Sequence, residues 1–119
     1  MDAPRLSQKQ EQGRIWEQAA QAYLQERGLV PVDANFRCKL GEIDLIMRDG
    51  ATLVFVEVRQ RAAGSQVTAA ASISPAKIRR LVRAAQVYLQ RFDRLPPCRF
   101  DVIAIDGRHF EWLHNAIEA

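Results

Sequence analysis

Glu42-Ile43-Asp44-Leu45-Ile46-Met47-Arg48, then Asp49-Gly50, then Thr52-Leu53-Val54-Phe55-Val56-Glu57-Val58-Arg59-Gln60: this stretch decides the fold. Both runs are rich in residues that suit a pleated surface, and Asp-Gly between them is the strongest short hairpin signal. The second run is apolar on both faces for most of its length, which points to a covered, central strand.

Working outward toward the N-terminus, Leu29 to Arg37 reads as an extended piece whose Pro31 places it at a sheet edge. Before it, Ile15, Trp16, Ala19, Ala20, Tyr23 and Leu24 recur at helical spacing, predicting a helix over Lys9–Arg27 that Gly28 terminates. Glu17 lies beside the apolar stripe of that helix, and residues 1–8 are expected to be a disordered tail. Toward the C-terminus, Arg61–Ser72 is small-residue loop. Ser74 then caps a second helix with Pro75 at its first position. Its core stripe runs to about Phe92, Pro96-Pro97 breaks the chain, and Arg99–Asp106 and His109–His114 read as strands. A strand after a helical crossover usually joins its predecessor in parallel. The order α, β, β, β, α, β, β therefore gives an α/β or α+β mixed sheet flanked by helices, in one domain spanning 1–119.

The chain has 119 residues, 48% of them hydrophobic and 26% charged, which excludes a disordered or collagen-like chain and a disulfide scaffold. No stretch approaches the roughly 18–20 apolar residues of a membrane span, so no membrane partner is expected. The polar start, MDAPRLSQKQEQ, lacks the apolar run of a secretory signal, and a cytoplasmic location is expected. Cys38 and Cys98 are isolated thiols, expected to stay reduced, and His109 and His114 lie too far from them to suggest zinc.

Charge inside a covered strand marks where chemistry belongs. Asp44 and Glu57 each interrupt an apolar run, and a carboxylate there loses hydration unless something compensates it. With Asp49-Gly50 as the turn, Arg48 pairs with Ala51, Asp44 faces Phe55 and Glu42 faces Glu57. Glu42, Asp44, Glu57 and Arg59 then share one face, with Asp44 and Glu57 diagonal at about 7–8 Å. A register shifted by two keeps that face; a shift of one separates the acids. Two converging carboxylates repel, and a divalent cation between them resolves the conflict. Oxygen ligands without thiol or imidazole favour Mg²⁺ or Mn²⁺, and such an ion can acidify a water into a nucleophile against phosphorus. The alternative is a salt-bridge cluster in which Arg59, Arg61 or Arg37 neutralises the acids, with Glu42 merely solvated.

From Arg59 to Arg99 there are nine cations and one acid, Asp93, a net +8, while the rest of the chain sums to −5. A single-sign stretch beginning beside the acids suits the tracking of phosphates. Arg61, Lys77, Arg80 and Arg83 are the candidate nucleic-acid-binding residues. No aromatic interleaving supports readout of single strands by stacking.

Gly13-x-x-x-Glu17, Asn35-Phe36-Arg37, Gly41-Glu42-Ile43-Asp44-Leu45-Ile46, Phe55-Val56-Glu57-Val58-Arg59, Lys77 and Arg99-Phe100-Asp101-Val102 together resemble the bacterial YraN-like family. That family is placed in the PD-(D/E)xK nuclease superfamily, near the archaeal Holliday-junction resolvases. The resemblance implies a restriction-endonuclease-like αβββαβ core. It makes Asp44 the motif aspartate, Glu57 the acid of the (D/E)xK element, the main-chain carbonyl of Val58 a further metal ligand, and Glu17 the extra helical glutamate. Arg59 stands where a lysine is expected. A guanidinium stays protonated, so it can hold a phosphate oxygen but cannot act as a base.

The leading expectation is a Mg²⁺- or Mn²⁺-dependent nuclease acting on DNA, on branched or damaged duplex. Catalytic roles fall to Asp44, Glu57, Arg59 and Glu17, and metal ligation to Asp44, Glu57 and Val58. The rival is a nucleic-acid-binding module that kept the fold and lost the reaction; an adaptor for an acidic protein partner is a third. A homodimer is expected only by analogy with junction resolvases.

Overall fold

The computed structural model describes residues 7–117. Ser7 accepts a hydrogen bond from the Gln10 N–H while the Gln10 side chain bonds back to Ser7, a reciprocal cap that starts α1 (Gln8–Glu26). The last two residues of the expected tail are therefore helix cap and first turn; the other six lie outside the described residues. Gly28, at φ 96, closes α1 as expected. After it come β1 (Val30–Cys38), β2 (Gly41–Asp49), β3 (Thr52–Arg61), α2 (Pro75–Leu89), β4 (Cys98–Asp106) and β5 (His109–Leu113).

The five strands form one sheet in chain order. β3 and β4, joined across α2, are parallel, and every other neighbouring pair is antiparallel. This is the expected mixed sheet, with a restriction-endonuclease-like αβββαβ core and β5 added at the far edge. β1 is the other edge, and its pairing with β2 slips between Pro31 and Asp33, where the proline N–H is missing.

β3 lies in the middle and buries both faces. On one side Ala20 and Leu24 of α1 pack with Leu45, Met47, Val54 and Ile103. On the other, Leu81, Ala85 and Tyr88 of α2 pack with Ile43, Phe55 and Phe100. α2 stops at Leu89, three residues short of Phe92, because Gln90, Arg91 and Phe92 donate to carbonyls three residues back and tighten into a turn. A single 3₁₀ turn, Ala70–Ser72, interrupts the expected loop.

The hairpin register differs from the expected one. Asp49 pairs with Thr52, so the turn is Gly50-Ala51, with Gly50 at φ 59 in its first central position. The shift is two residues. Regular pairing ends at Leu45–Val56, so the next positions, Asp44 and Glu57, meet directly across the strands rather than on a diagonal. Beyond that rung β2 loses strict alternation: Ile43 and Ile46, three apart, both pack toward α2. The expectation that Glu42 and Asp44 follow one alternating face therefore fails at Asp44.

Candidate metal and phosphate site

Where β2 parts from β3, the Asp44 carboxylate reaches across and its Oδ2 accepts the Val58 N–H at 2.8 Å. The side chain replaces a ladder partner, which fixes the carboxylate at the mouth of the gap. Glu57, on the rung beside it, is 1% exposed. Its Oε1 is sealed from solvent and accepts no hydrogen bond, an arrangement costly for a charged oxygen. The neighbouring Asp44 charge opposes the ionisation of Glu57, a conflict that a proton or a nearby cation relieves.

The cation is Lys77. From the first turn of α2 its Nζ stands 3.3 Å from Glu57 Oε1. The expected neutralising arginines are elsewhere. Arg37 pairs at 3.7 Å with Glu42, both side chains exposed. Arg59 points its Nε at Ser72 Oγ, 2.7 Å away, and Ser72 in turn donates to the Ala69 carbonyl. The 3₁₀ turn thus anchors Arg59 at the rim.

Burial pushes Glu57 up to about 8, and the neighbouring Asp44 charge adds to the rise. Asp44 is raised by burial too, against the opposing pull of the Val58 N–H and Lys77. Glu17, half-buried on α1, is pushed up to about 7, by burial first and then by the Asp44 and Glu42 charges. Glu17 and Asp44, which line one hollow, and Glu57 beside Asp44 all resist ionisation, the kind of perturbation that accompanies function. The hollow, of about 460 Å³, is lined by Trp16, Glu17, Asp44, Val58, Arg59 and Lys77.

Two facing carboxylates, Asp44 and Glu57, offer hard oxygen ligands of the kind a divalent ion takes, but such an ion would have to displace the Lys77 ammonium that now stands at Glu57 Oε1. Among the described residues no three of His, Cys, Asp and Glu are grouped to hold a metal. The protein would thus offer two carboxylates and the Val58 carbonyl, leaving the remaining positions to water, as magnesium sites commonly do.

A family model described as an uncharacterised protein family, UPF0102, matches residues 16–105. The chain belongs to UPF0102. It is 58% identical over 111 residues to a UPF0102 protein of Janthinobacterium sp. (strain Marseille), covering 93% of this chain and 90% of that one. Against a UPF0102 protein of Cupriavidus metallidurans it is 55% identical over 119 residues, covering 99% and 89%. The family assignment agrees with the resemblance carried by the motifs, and the matched span contains Glu17, Asp44, Glu57 and Lys77.

In this UPF0102 chain several site residues had no assigned purpose in sequence. Asn35, within Asn-Phe-Arg, sits at φ 53, a conformation asparagine tolerates better than most residues, and lines a hollow together with Glu17. Gly41 opens β2 because a Cβ there would collide with the backbone carbonyl of Arg80; that contact lets α2 lie close enough to deliver Lys77. Ser72 had no signal beyond its place in a small-residue loop. Arg61 is exposed at the end of β3, and Arg80 and Arg83 are exposed on α2. Among the described residues no helix is long and apolar enough to cross a membrane.

Proposed function

We propose that this protein is a Mg²⁺- or Mn²⁺-dependent endonuclease acting on DNA phosphodiesters, with branched or damaged duplex as substrate. The observation that carries the reading is the buried Asp44–Glu57 pair, whose Glu57 Oε1 is sealed from solvent and meets only the Lys77 ammonium, at 3.3 Å. Asp44, Glu57 and the Val58 carbonyl would hold the ion, and Glu17 faces the same hollow in an assisting role. A bound divalent cation would neutralise phosphate charge and acidify the attacking water. Arg59, anchored by Ser72, and Lys77 would hold non-bridging phosphate oxygens as charge develops. Arg61, Arg80 and Arg83 would position the backbone. By the same reading the protein works in the cytoplasm, and cutting both strands of a junction calls for two copies.

The test is a set of linear, flapped and four-way DNA substrates incubated with Mn²⁺, wild type beside Asp44 and Glu57 variants. Cut product that needs the ion and both carboxylates is expected. Product that persists in the variants, or no product on any substrate, overturns the reading. The Lys77–Glu57 ion pair favours a second reading, a binding module whose acids are satisfied internally; it stands if DNA binds and is never cut.

A further inference from the structure

Lys77 and Glu42 border two hollows at once. One is lined by Glu17 and Asp44. The other is a cleft of about 560 Å³ between α2 and the Lys39-Leu40 turn that joins β1 to β2. Five cations, Arg37, Lys39, Lys77, Arg80 and Arg83, line this cleft against one acid, Glu42. Glu42 is already answered by Arg37, and Lys77 by Glu57. Among the described residues Lys39, Arg80 and Arg83 enter no ion pair.

Gathering like charges in a concave surface costs self-repulsion, and a polyanion relieves it. Lys77, Arg80 and Arg83 follow at three-residue spacing and so form one row along α2, while Arg37 at the end of β1 and Lys39 in the turn line the same cleft. The close contact of Gly41 with the Arg80 backbone ties the two walls together, so the cationic spacing is set before any ligand arrives. The cleft has the volume of a pocket that encloses a small-molecule-sized ligand, room for a segment of backbone rather than for a whole duplex.

We infer that this cleft holds the DNA backbone adjoining the scissile phosphate, the strand passing over Lys77 from the cleft to the Asp44–Glu57 pair. The strand's direction rests on the nuclease reading; the cleft's affinity for DNA does not. Arg37 and Lys39 join the DNA-binding surface, and Arg61, on the far side of the carboxylates at the end of β3, meets the strand beyond the cut.

Cys38 supplies the probe. It lines the cleft and is half-buried, whereas Cys98 is exposed at the start of β4. Duplex DNA carrying a disulfide-activated thiol tethered to a backbone phosphate is incubated with the full chain in EDTA. It should cross-link to Cys38 in preference to the more accessible Cys98, as Cys38→Ser and Cys98→Ser variants would show. Independently, Lys39→Ala with Arg83→Ala should weaken duplex binding at least tenfold near physiological salt and lower the salt slope by about 2. Arg48→Ala, at the opposite end of β2, should leave both unchanged. The cleft assignment stands only if both results hold. A cross-link confined to Cys98, unchanged affinity in the double variant, or equal displacement of DNA by poly-glutamate at matched charge each overturns it. Cross-linking without cleavage on any substrate retracts the nuclease reading and keeps the cleft; cleavage that ignores the double variant does the reverse.

Discussion

The ammonium of Lys77 stands 3.3 Å from Oε1 of Glu57, an oxygen sealed from water and given no hydrogen bond. The side chain comes from α2, on a helix that follows β3 by a long crossover, and it stands where the proposed divalent ion would meet Glu57. Lys77 would therefore compete with that ion. Removing the competing charge in Lys77→Met should tighten Mn²⁺ binding to the DNA-free protein about tenfold, ~1.4 kcal/mol, and Lys77→Arg should not. Calorimetric titration of Mn²⁺ at pH 8 measures it. Weaker Mn²⁺ binding in Lys77→Met would show that the ammonium does not compete with the ion for Glu57.

Stability should depend on pH in a direction set by the same pocket. In the unfolded chain Glu57 and Glu17 ionise around their ordinary value of 4.5, whereas in the folded protein they do so near 8 and 7. Between those values the native state binds more protons than the unfolded one. Their stabilising contribution is therefore complete below about 4.5 and is lost as pH rises to 8. Thermal unfolding in EDTA should show Tm falling across that window, and Glu57→Gln should flatten the fall. Mn²⁺, which binds the ionised form, should raise Tm more at pH 8 than at pH 5.5. A wild-type Tm that falls no more steeply with pH than that of Glu57→Gln would contradict the assignment.

Two glycines should respond in opposite ways to alanine. Gly41→Ala drives a methyl into the Arg80 backbone, which cannot yield without moving α2; a loss of about 1–3 kcal/mol follows. Gly13 lies within α1 with open space around its Cα, so Gly13→Ala should stabilise by about 0.5–1 kcal/mol. Urea unfolding of the two variants decides it, and a neutral Gly41→Ala would mean that α2 is not tied to β2 there.

The buried Asp101 offers a structural contrast to the functional carboxylates. It is fully buried but satisfied, accepting from Arg99 Nε, from Trp112 Nε1 at 2.9 Å and from the Asn115 N–H at 2.8 Å. Trp112→Phe removes one of those donors and should cost about 1–3 kcal/mol in urea unfolding, with no change in Mn²⁺ affinity. Altered metal binding in that variant would link β5 to the carboxylate pocket, a link these contacts do not contain.

The hairpin, the central strand and both helices were legible because period and turn chemistry are local. The two-residue register error was not: Asp-Gly is consistent with Asp49 as a turn residue or as the last paired residue, and both registers put Leu45, Met47, Val54 and Val56 on the α1 side, so the hydrophobic period does not choose between them. Asp44 and Glu57 converge all the same, although β2 loses its alternation at Asp44, because the Asp44 carboxylate reaches across to the Val58 N–H next to Glu57. The identity of their counterion was not legible. Arg59 and Arg61 were near in sequence, whereas Lys77 arrives through a tertiary contact at Gly41 that no periodicity reveals. Asn35 was legible as part of a motif, while its left-handed backbone and its place beside Glu17 in one hollow depend on the tertiary fold.

Asp44 permits the cleanest separation of fold from chemistry. Its Oδ2 accepts the Val58 N–H at 2.8 Å and stands in for a missing ladder bond. Asp44→Ala removes both that acceptor and the charge, leaving the Val58 N–H without its partner, at a cost of about 1–3 kcal/mol. Asp44→Asn keeps an acceptor of the same reach and removes only the charge. It also relieves Glu57 of a repelling neighbour, so the metal-free Asn variant should equal or exceed wild type in Tm at pH 8. Mn²⁺ affinity and cleavage should nevertheless be lost in Asn and Ala alike, while duplex binding in EDTA, which depends on the α2 cations, stays within about twofold of wild type. Parallel measurements of Tm, Mn²⁺ titration, duplex anisotropy and strand cutting on the two variants separate the roles. An Asn variant that still cuts would make Asp44 a backbone clamp and move the chemistry away from the gap between β2 and β3.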